Sequence, residues 1–229
     1  MSGTHDGRRR AILALDTATT RVVVATGSPD GRVDGITTWA AGYRHGETLL
    51  PTIGRFLGEQ NIRRSRLTGI VVGTGPGAFT GLRVGIATAK GLAHGLSLPI
   101  VGISTAEALL AGLASSVSAP VLLLPAGPSD RIVVRPGAEP ELLPGGQEPE
   151  LRPTETLVAV DLDGRAPADA VDRGEEARAG LGRALIELGA ARLRAGLADG
   201  LAELVPDYVT LPRGVTRVAG EMAWSRDPR

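Results

Sequence analysis

The sequence contains an internal repeat, and that repeat narrows the folds open to it. Sliding the sequence by 110 residues lays Arg131-Ile132-Val133-Val134 on Arg21-Val22-Val23-Val24, Val121-Leu122-Leu123-Leu124 on the first apolar run and Gly137 on Gly27, with no gap. The first copy is legible as structure. The run Ala11-Ile12-Leu13-Ala14-Leu15 and the run Val22-Val23-Val24-Ala25 flank the polar insert Asp16-Thr17-Ala18-Thr19-Thr20, the pattern of two antiparallel strands joined by a turn. A hairpin that recurs halfway along a chain is the trace of a duplicated, hairpin-led domain. The alternative is a chance likeness, because any two hairpins of Val and Leu match in part.

The residues between the hairpins alternate strand and helix signals. Ser28-Pro29-Asp30-Gly31 reads as a turn and Arg32–Trp39 as a third strand. From Glu47, the residues Leu49, Leu50, Ile53, Phe56 and Leu57 fall on one face of an amphipathic helix, with Pro51 expected in its first turn. Gly69–Val72 is a strand that runs into a glycine-rich loop, followed by a helix over Leu82–Leu96 and a strand over Leu98–Ile103. Thr105–Ala114 reads as a helix capped by Ser104. After the second hairpin come Pro/Gly/Glu-rich loops over Pro136–Pro153, a strand at Thr156–Asp161, a long helix around Glu175–Ala198 and an extended segment at Asp207–Leu211. The expected class is α/β. Its division is a disordered leader over 1–10, an N-terminal subdomain over 11–104, a C-terminal subdomain over 105–212 and a tail over 213–229 that shows no clear period.

Composition removes several kinds of chemistry. The chain has no cysteine, which excludes disulfides, thiolate metal sites and cysteine nucleophiles. Its three histidines, His5, His45 and His94, lack the spacing of a metal site. The 25 basic and 25 acidic residues cancel, so the chain carries no global field for nucleic acid. No apolar run approaches the roughly 18 residues of a membrane span. A cytoplasmic location without membrane contact is the expectation.

Two places could carry chemistry. Asp16, with Thr17 beside it, lies where the first strand turns into the second; a carboxylate there could hold a hydrated magnesium while turn amides cradle phosphates. The same residues could simply close a hairpin as an Asx-turn. At the equivalent turn of the repeat stand Ala126 and Gly127, so a nucleotide clamp would be half built. The loop Gly73-Thr74-Gly75-Pro76-Gly77-Ala78 also fits the dinucleotide pattern G-x-G-x-x-[GA]. Against it stand the three strands that precede it, the amide lost at Pro76 and the lack of an acid after Pro99-Ile100-Val101-Gly102. The loop equally fits a tight strand-to-helix turn. In the helix that follows, Gly81, Gly85 and Ala89 make a narrow stripe against which a strand or helix of this chain, or a partner chain, should lie.

The segments Ile12–Thr19, His45-Gly46-Glu47-Thr48-Leu49-Leu50-Pro51 and above all Gly75-Pro76-Gly77-Ala78-Phe79-Thr80-Gly81-Leu82-Arg83-Val84-Gly85 resemble the TsaB (YeaZ) family. Lys90-Gly91-Leu92-Ala93 and Pro99–Thr105 extend the likeness from residue 11 to about residue 110. The resemblance implies an actin/Hsp70-like (ASKHA, ribonuclease H-like) fold of two small subdomains. It implies a non-catalytic subunit that binds a TsaD-type catalytic partner, with a TsaE-type ATPase, in the complex that transfers threonylcarbamoyl to N6 of adenosine 37 in tRNA. ATP/ADP and metal are then expected on the partner subunits and no cofactor on the isolated chain, with tRNA met only through the complex. Asp16 and Thr17 become a vestigial nucleotide site. The expected partner surface comprises Leu49, Leu50, Ile53, Leu57, Gly81, Gly85, Thr88, Ala89 and Leu92, and is also available to a homodimer. The chain departs from the family pattern at Ala78, where Ser is usual, at Pro125-Ala126-Gly127 in place of Asp-Ala-Arg, and at Tyr208-Val209-Thr210 in place of Tyr-Leu-Arg. The alternative reading is a free-standing nucleotide-dependent enzyme, an ASKHA phosphotransferase or a dinucleotide-binding oxidoreductase.

Overall fold

Two mixed sheets, related by the repeat, pack against one shared layer of helices. The computed structural model describes residues 10–40, 45–113, 117–209, 215–218 and 221–224. The first sheet contains β1 (Ala11–Asp16), β2 (Arg21–Gly27), β3 (Val33–Ala40), β4 (Leu67–Gly73) and β5 (Ile100–Ile103), in the order β3-β2-β1-β4-β5. The second contains β6 (Pro120–Pro125), β7 (Arg131–Val134), β8 (Glu141–Leu143) and β9 (Thr156–Ala159), in the order β8-β7-β6-β9. Each central strand runs antiparallel to its hairpin partner and parallel to the strand on its other side: β1 with β2 and β4, β6 with β7 and β9. The repeat is thus a repeat of topology, and the chain has the duplicated ASKHA-type α/β fold.

Four helices complete the layers. Helix α1 (His45–Glu59) and helix α2 (Phe79–Leu96) cover the outer face of the first sheet. There Leu13, Leu15, Val22, Val24, Ile70 and Val72 meet Leu49, Ile53, Phe56, Ile86 and Ala89. Helix α3 (Thr105–Gly112) and helix α4 (Ala168–Arg194) lie between the two sheets. Their Leu109, Leu181, Leu185 and Ile186 share one core with Ile12, Val23 and Val71 of the first sheet and Leu122, Ile132 and Val158 of the second. Helix α4 approaches α3 and the first sheet closely because those contacts are built on glycine. A Cβ on Gly180 would stand 2.2 Å from the Gly112 carbonyl oxygen, and one on Gly189 would stand 2.3 Å from Val71.

Among the described residues the second half has no counterpart of α1. Between β8 and β9 runs a loop, held to the outer face of its sheet by Arg131, which is only 4% exposed. The guanidinium donates to the carbonyls of Gln147 and Arg165 and pairs with Glu148 at 3.2 Å.

Several expected boundaries shift. Helix α1 begins before Glu47, so Pro51 lies beyond the first turn on an exposed face. Helix α4 begins at Ala168 and ends at Arg194, where Gly196 follows with φ +71°. The tail holds a hairpin of β10 (Val215–Val218) and β11 (Glu221–Trp224), strands too short to show a period in the sequence. The expected leader lies outside the described residues except for Arg10. Among the described residues no helix is long and apolar enough to cross a membrane.

Candidate functional site: the β1–β2 turn and the α1–α2 face

Asp16 ends β1 fully buried, and both its carboxylate oxygens are engaged by the protein itself. Oδ1 accepts from the Ala18 amide at 2.8 Å and Oδ2 from the Thr105 hydroxyl at 2.6 Å. The Thr105 oxygen in turn accepts from the Gly75 amide at 3.0 Å. The carboxylate rests on the backbone of Gly73, where a Cβ would lie 1.7 Å from Oδ2. Burial pushes the Asp16 carboxyl above its ordinary value, the bonds from Thr105 and Ala18 oppose that rise, and the nearby charge of Asp161 adds to it. Thr17 is also turned inward, its hydroxyl donating to the Gly81 carbonyl at 2.7 Å. A nucleotide with its metal does not fit these residues as they stand, since every side-chain oxygen expected to meet it is bonded within the chain. Among the described residues no group of three or more His, Asp or Glu side chains is placed to hold a metal ion.

The glycine-rich loop is explained by the same packing. The Ala78 amide donates to the Ala18 carbonyl at 2.7 Å, and a Cβ on Gly77 would stand 2.3 Å from that carbonyl oxygen. Two backbones meet here, which only glycine permits. The amides of Gly75 and Ala78, which a phosphate-cradling loop would offer to a ligand, are thus directed into the protein.

The small-residue stripe also faces inward, which corrects its expected place on a partner surface. Cβ atoms on Gly81 and Gly85 would each lie 2.1 Å from Thr17, and Ala89 is fully buried. The stripe exists so that α2 can lie against the β1–β2 turn. Leu49, Ile53 and Leu57 likewise belong to the core, whereas Leu50 is 52% exposed and Thr88 and Leu92 are half-buried. What does open outward is an apolar groove of about 430 Å³ between α1 and α2. It is lined by Leu50, Pro51, Gly54, Leu57, Leu92 and Leu96, among others. Gly54 and Gly58 on α1, and Gly91 and Gly95 on α2, have open space where a side chain would project.

Three contacts that sequence reasoning missed tie distant parts of the chain to this region. Asp161, just beyond β9, accepts from the Thr20 amide at 2.6 Å and the Thr20 hydroxyl at 2.5 Å, and pairs with Arg178 at 2.8 Å. The Thr74 hydroxyl donates to Asp207 at 2.6 Å, and the Asp207 amide returns a bond to the Thr74 carbonyl. Arg83 stacks 3.7 Å over the Phe79 ring and donates from Nε to the Tyr208 hydroxyl at 2.9 Å. The scarcity of aromatics, two Phe and two Tyr in 229 residues, was the one available signal for the last cluster.

Residues 28–138 match the family model described as TsaD, tRNA N6-adenosine threonylcarbamoyltransferase. The chain is 37% identical over 101 residues to the tRNA threonylcarbamoyladenosine biosynthesis protein TsaB of Escherichia coli, covering 44% of this chain and 43% of that one. It is 37% identical over 98 residues to the Haemophilus influenzae protein of the same name, covering 43% and 41%. YeaZ from Pseudomonas aeruginosa superposes with a TM-score of 0.67 at 23% identity, over 87% of this chain and all of that one. In sequence this chain is similar to TsaB proteins, and in fold to YeaZ. The TsaB/YeaZ likeness in sequence spans less than half the length of these two curated relatives. The structural likeness reaches the second half and shows that its fold is that of YeaZ.

Proposed function

We propose that this chain is a partner subunit in the formation of threonylcarbamoyladenosine in tRNA, and that it acts by binding and activating a TsaD-type catalytic subunit in the cytoplasm rather than by chemistry of its own. The observation that carries this reading is the α1–α2 face. An apolar groove with a half-exposed leucine at its rim, Leu50, flanked by glycines that leave room for a close approach, is a surface made for another helix pair. The relatives named for threonylcarbamoyladenosine biosynthesis support the pathway. The inward-bonded Asp16 and Thr17 support a role without bound nucleotide in the isolated chain. ATP, metal, the TsaE-type subunit and tRNA then belong to the assembled complex.

Gly54, on the open side of α1, is the position at which this reading can be tested. Gly54→Leu projects into open space, gains up to about 1 kcal/mol of helix propensity and leaves the subunit folded. The expected outcome is a normal circular dichroism spectrum with loss of co-elution with a TsaD-type protein in size-exclusion chromatography. Undiminished co-elution of Gly54→Leu and of Leu50→Arg would remove the α1–α2 face as the interface.

A further inference from the structure

We infer that the β1–β2 turn is an oxyanion site that the chain fills with its own Asp161, so that a side chain from one half occupies the place a phosphate group would take on the other. The donor set is what an oxyanion requires: a peptide N–H and a hydroxyl from Thr20, and a guanidinium from Arg178 that reaches both Asp161, at 2.8 Å, and the Thr20 oxygen, at 3.2 Å. Each oxygen of the Asp161 carboxylate is met from the turn, Oδ2 by the amide and Oδ1 by the hydroxyl. The carboxylate itself is 3% exposed. It sits at the meeting point of the two halves, since Thr20 lies in the turn at the head of the first sheet and Asp161 follows β9, the counterpart of β4.

The backbone at Asp161 indicates that the position of the carboxylate is specified. Its φ is +57°, a left-handed conformation uncommon for a residue with a side chain. Arg178 has a second carboxylate neighbour, Glu175, on the same helix, but that side chain is half-exposed, whereas Asp161 is buried. Asp16, behind the turn, is already bonded to Thr105 and Ala18 and does not compete for the same donors. The inference does not depend on the partner-subunit reading. It concerns a phosphate-class ligand at a different place from the α1–α2 groove.

The experiment uses the full chain and pyrophosphate as the probe, read by isothermal titration calorimetry. Wild type is expected to show no binding at millimolar concentration. Asp161→Gly, which tolerates the positive φ and removes the carboxylate, is expected to bind at least about tenfold more tightly. Asp161→Asn is the second variant, keeping the side-chain shape without the charge. Adding Thr20→Val to Asp161→Gly should abolish the gain. The inference is overturned if the folded Asp161 variants bind no better than wild type, or if Thr20→Val leaves their binding unchanged. It is overturned equally if circular dichroism shows both Asp161 variants unfolded, because the carboxylate is then an indispensable part of the fold rather than a stand-in.

Discussion

The two halves share a strand order and differ at the head of their hairpins and on their outer faces. In the first half the turn after the central strand carries a buried carboxylate, and two helices roof the outer face. In the second half that turn reads Ala126-Gly127-Pro128-Ser129-Asp130, and a loop strapped by Arg131 stands in for the first helix. A duplicated fold of this kind can clamp a ligand when both heads are polar and the gap between them is open. Here the second head carries Ala126 at the place equivalent to Asp16, and Asp161 reaches the first head at Thr20. Asp16 is bonded into the packing of the first half through Ala18 and Thr105.

Substitutions at several positions test how far the two halves differ. The largest effect is expected where the first half packs backbone on backbone. Gly85→Leu would drive a side chain into Thr17, and overpacking of this sort costs about 3 kcal/mol or more. For a chain of this size that is a fall of roughly 6–12 °C in melting temperature, read by thermal circular dichroism. An unchanged melting temperature would mean that α2 does not lie on the turn as described. Next comes the pair of equivalent turn positions. Asp16→Ala strands the Thr105 hydroxyl and the Ala18 amide, each at about 1–3 kcal/mol, whereas Ala126→Asp at a half-exposed site should stay within about 0.5 kcal/mol. Equal losses in urea titrations would erase the asymmetry.

The smallest effect is one of pH. Because the folded state holds the Asp16 proton more tightly than the unfolded chain does, it binds more protons between the ordinary aspartate value of 3.8 and the raised folded value. Its contribution is therefore fully present below that ordinary value and is lost as pH rises through the folded one. Asp30, Glu155 and Asp169, whose carboxyls are lowered by hydrogen bonds and arginines, act in the opposite sense. The difference in unfolding free energy between wild type and Asp16→Asn isolates the first contribution, and should become less favourable to wild type as pH rises. A flat difference would show that Asp16 titrates normally.

Much of this was legible in advance, and for physical reasons. The hairpins, the glycine loop and the first three helices announce themselves through local periodicity, and Ser104 caps α3 as its residue type implies, accepting from the Glu107 amide. The duplicated hairpin could be read from the gapless match of Arg131 with Arg21, whereas the shared strand order around it came from the structure. What periodicity cannot give is the facing of a stripe. Gly81, Gly85 and Ala89 have the same spacing whether they meet a partner or the Thr17 turn, and only the path of β1 into β2 decides between them. Asp161 was invisible for the same reason, since its partner Thr20 lies 141 residues away. Leu49, Ile53 and Leu57 were recognised as one apolar face, but a single helix cannot say which edge of that face its own sheet covers.

The central helix has a mechanical consequence. A jaw that opens and closes needs a line about which two bodies rotate with few contacts across it. Helix α4 presses Gly189 on Val71 of one sheet and Gly174 on Ala159 of the other, and its Leu181 and Leu185 belong to the core that both sheets share. Any swing of one half against the other would have to peel this axle from a sheet along much of its length. The protein is thus geared as a solid strut, able to pass a push from one face to the opposite one but poorly suited to breathe around a guest.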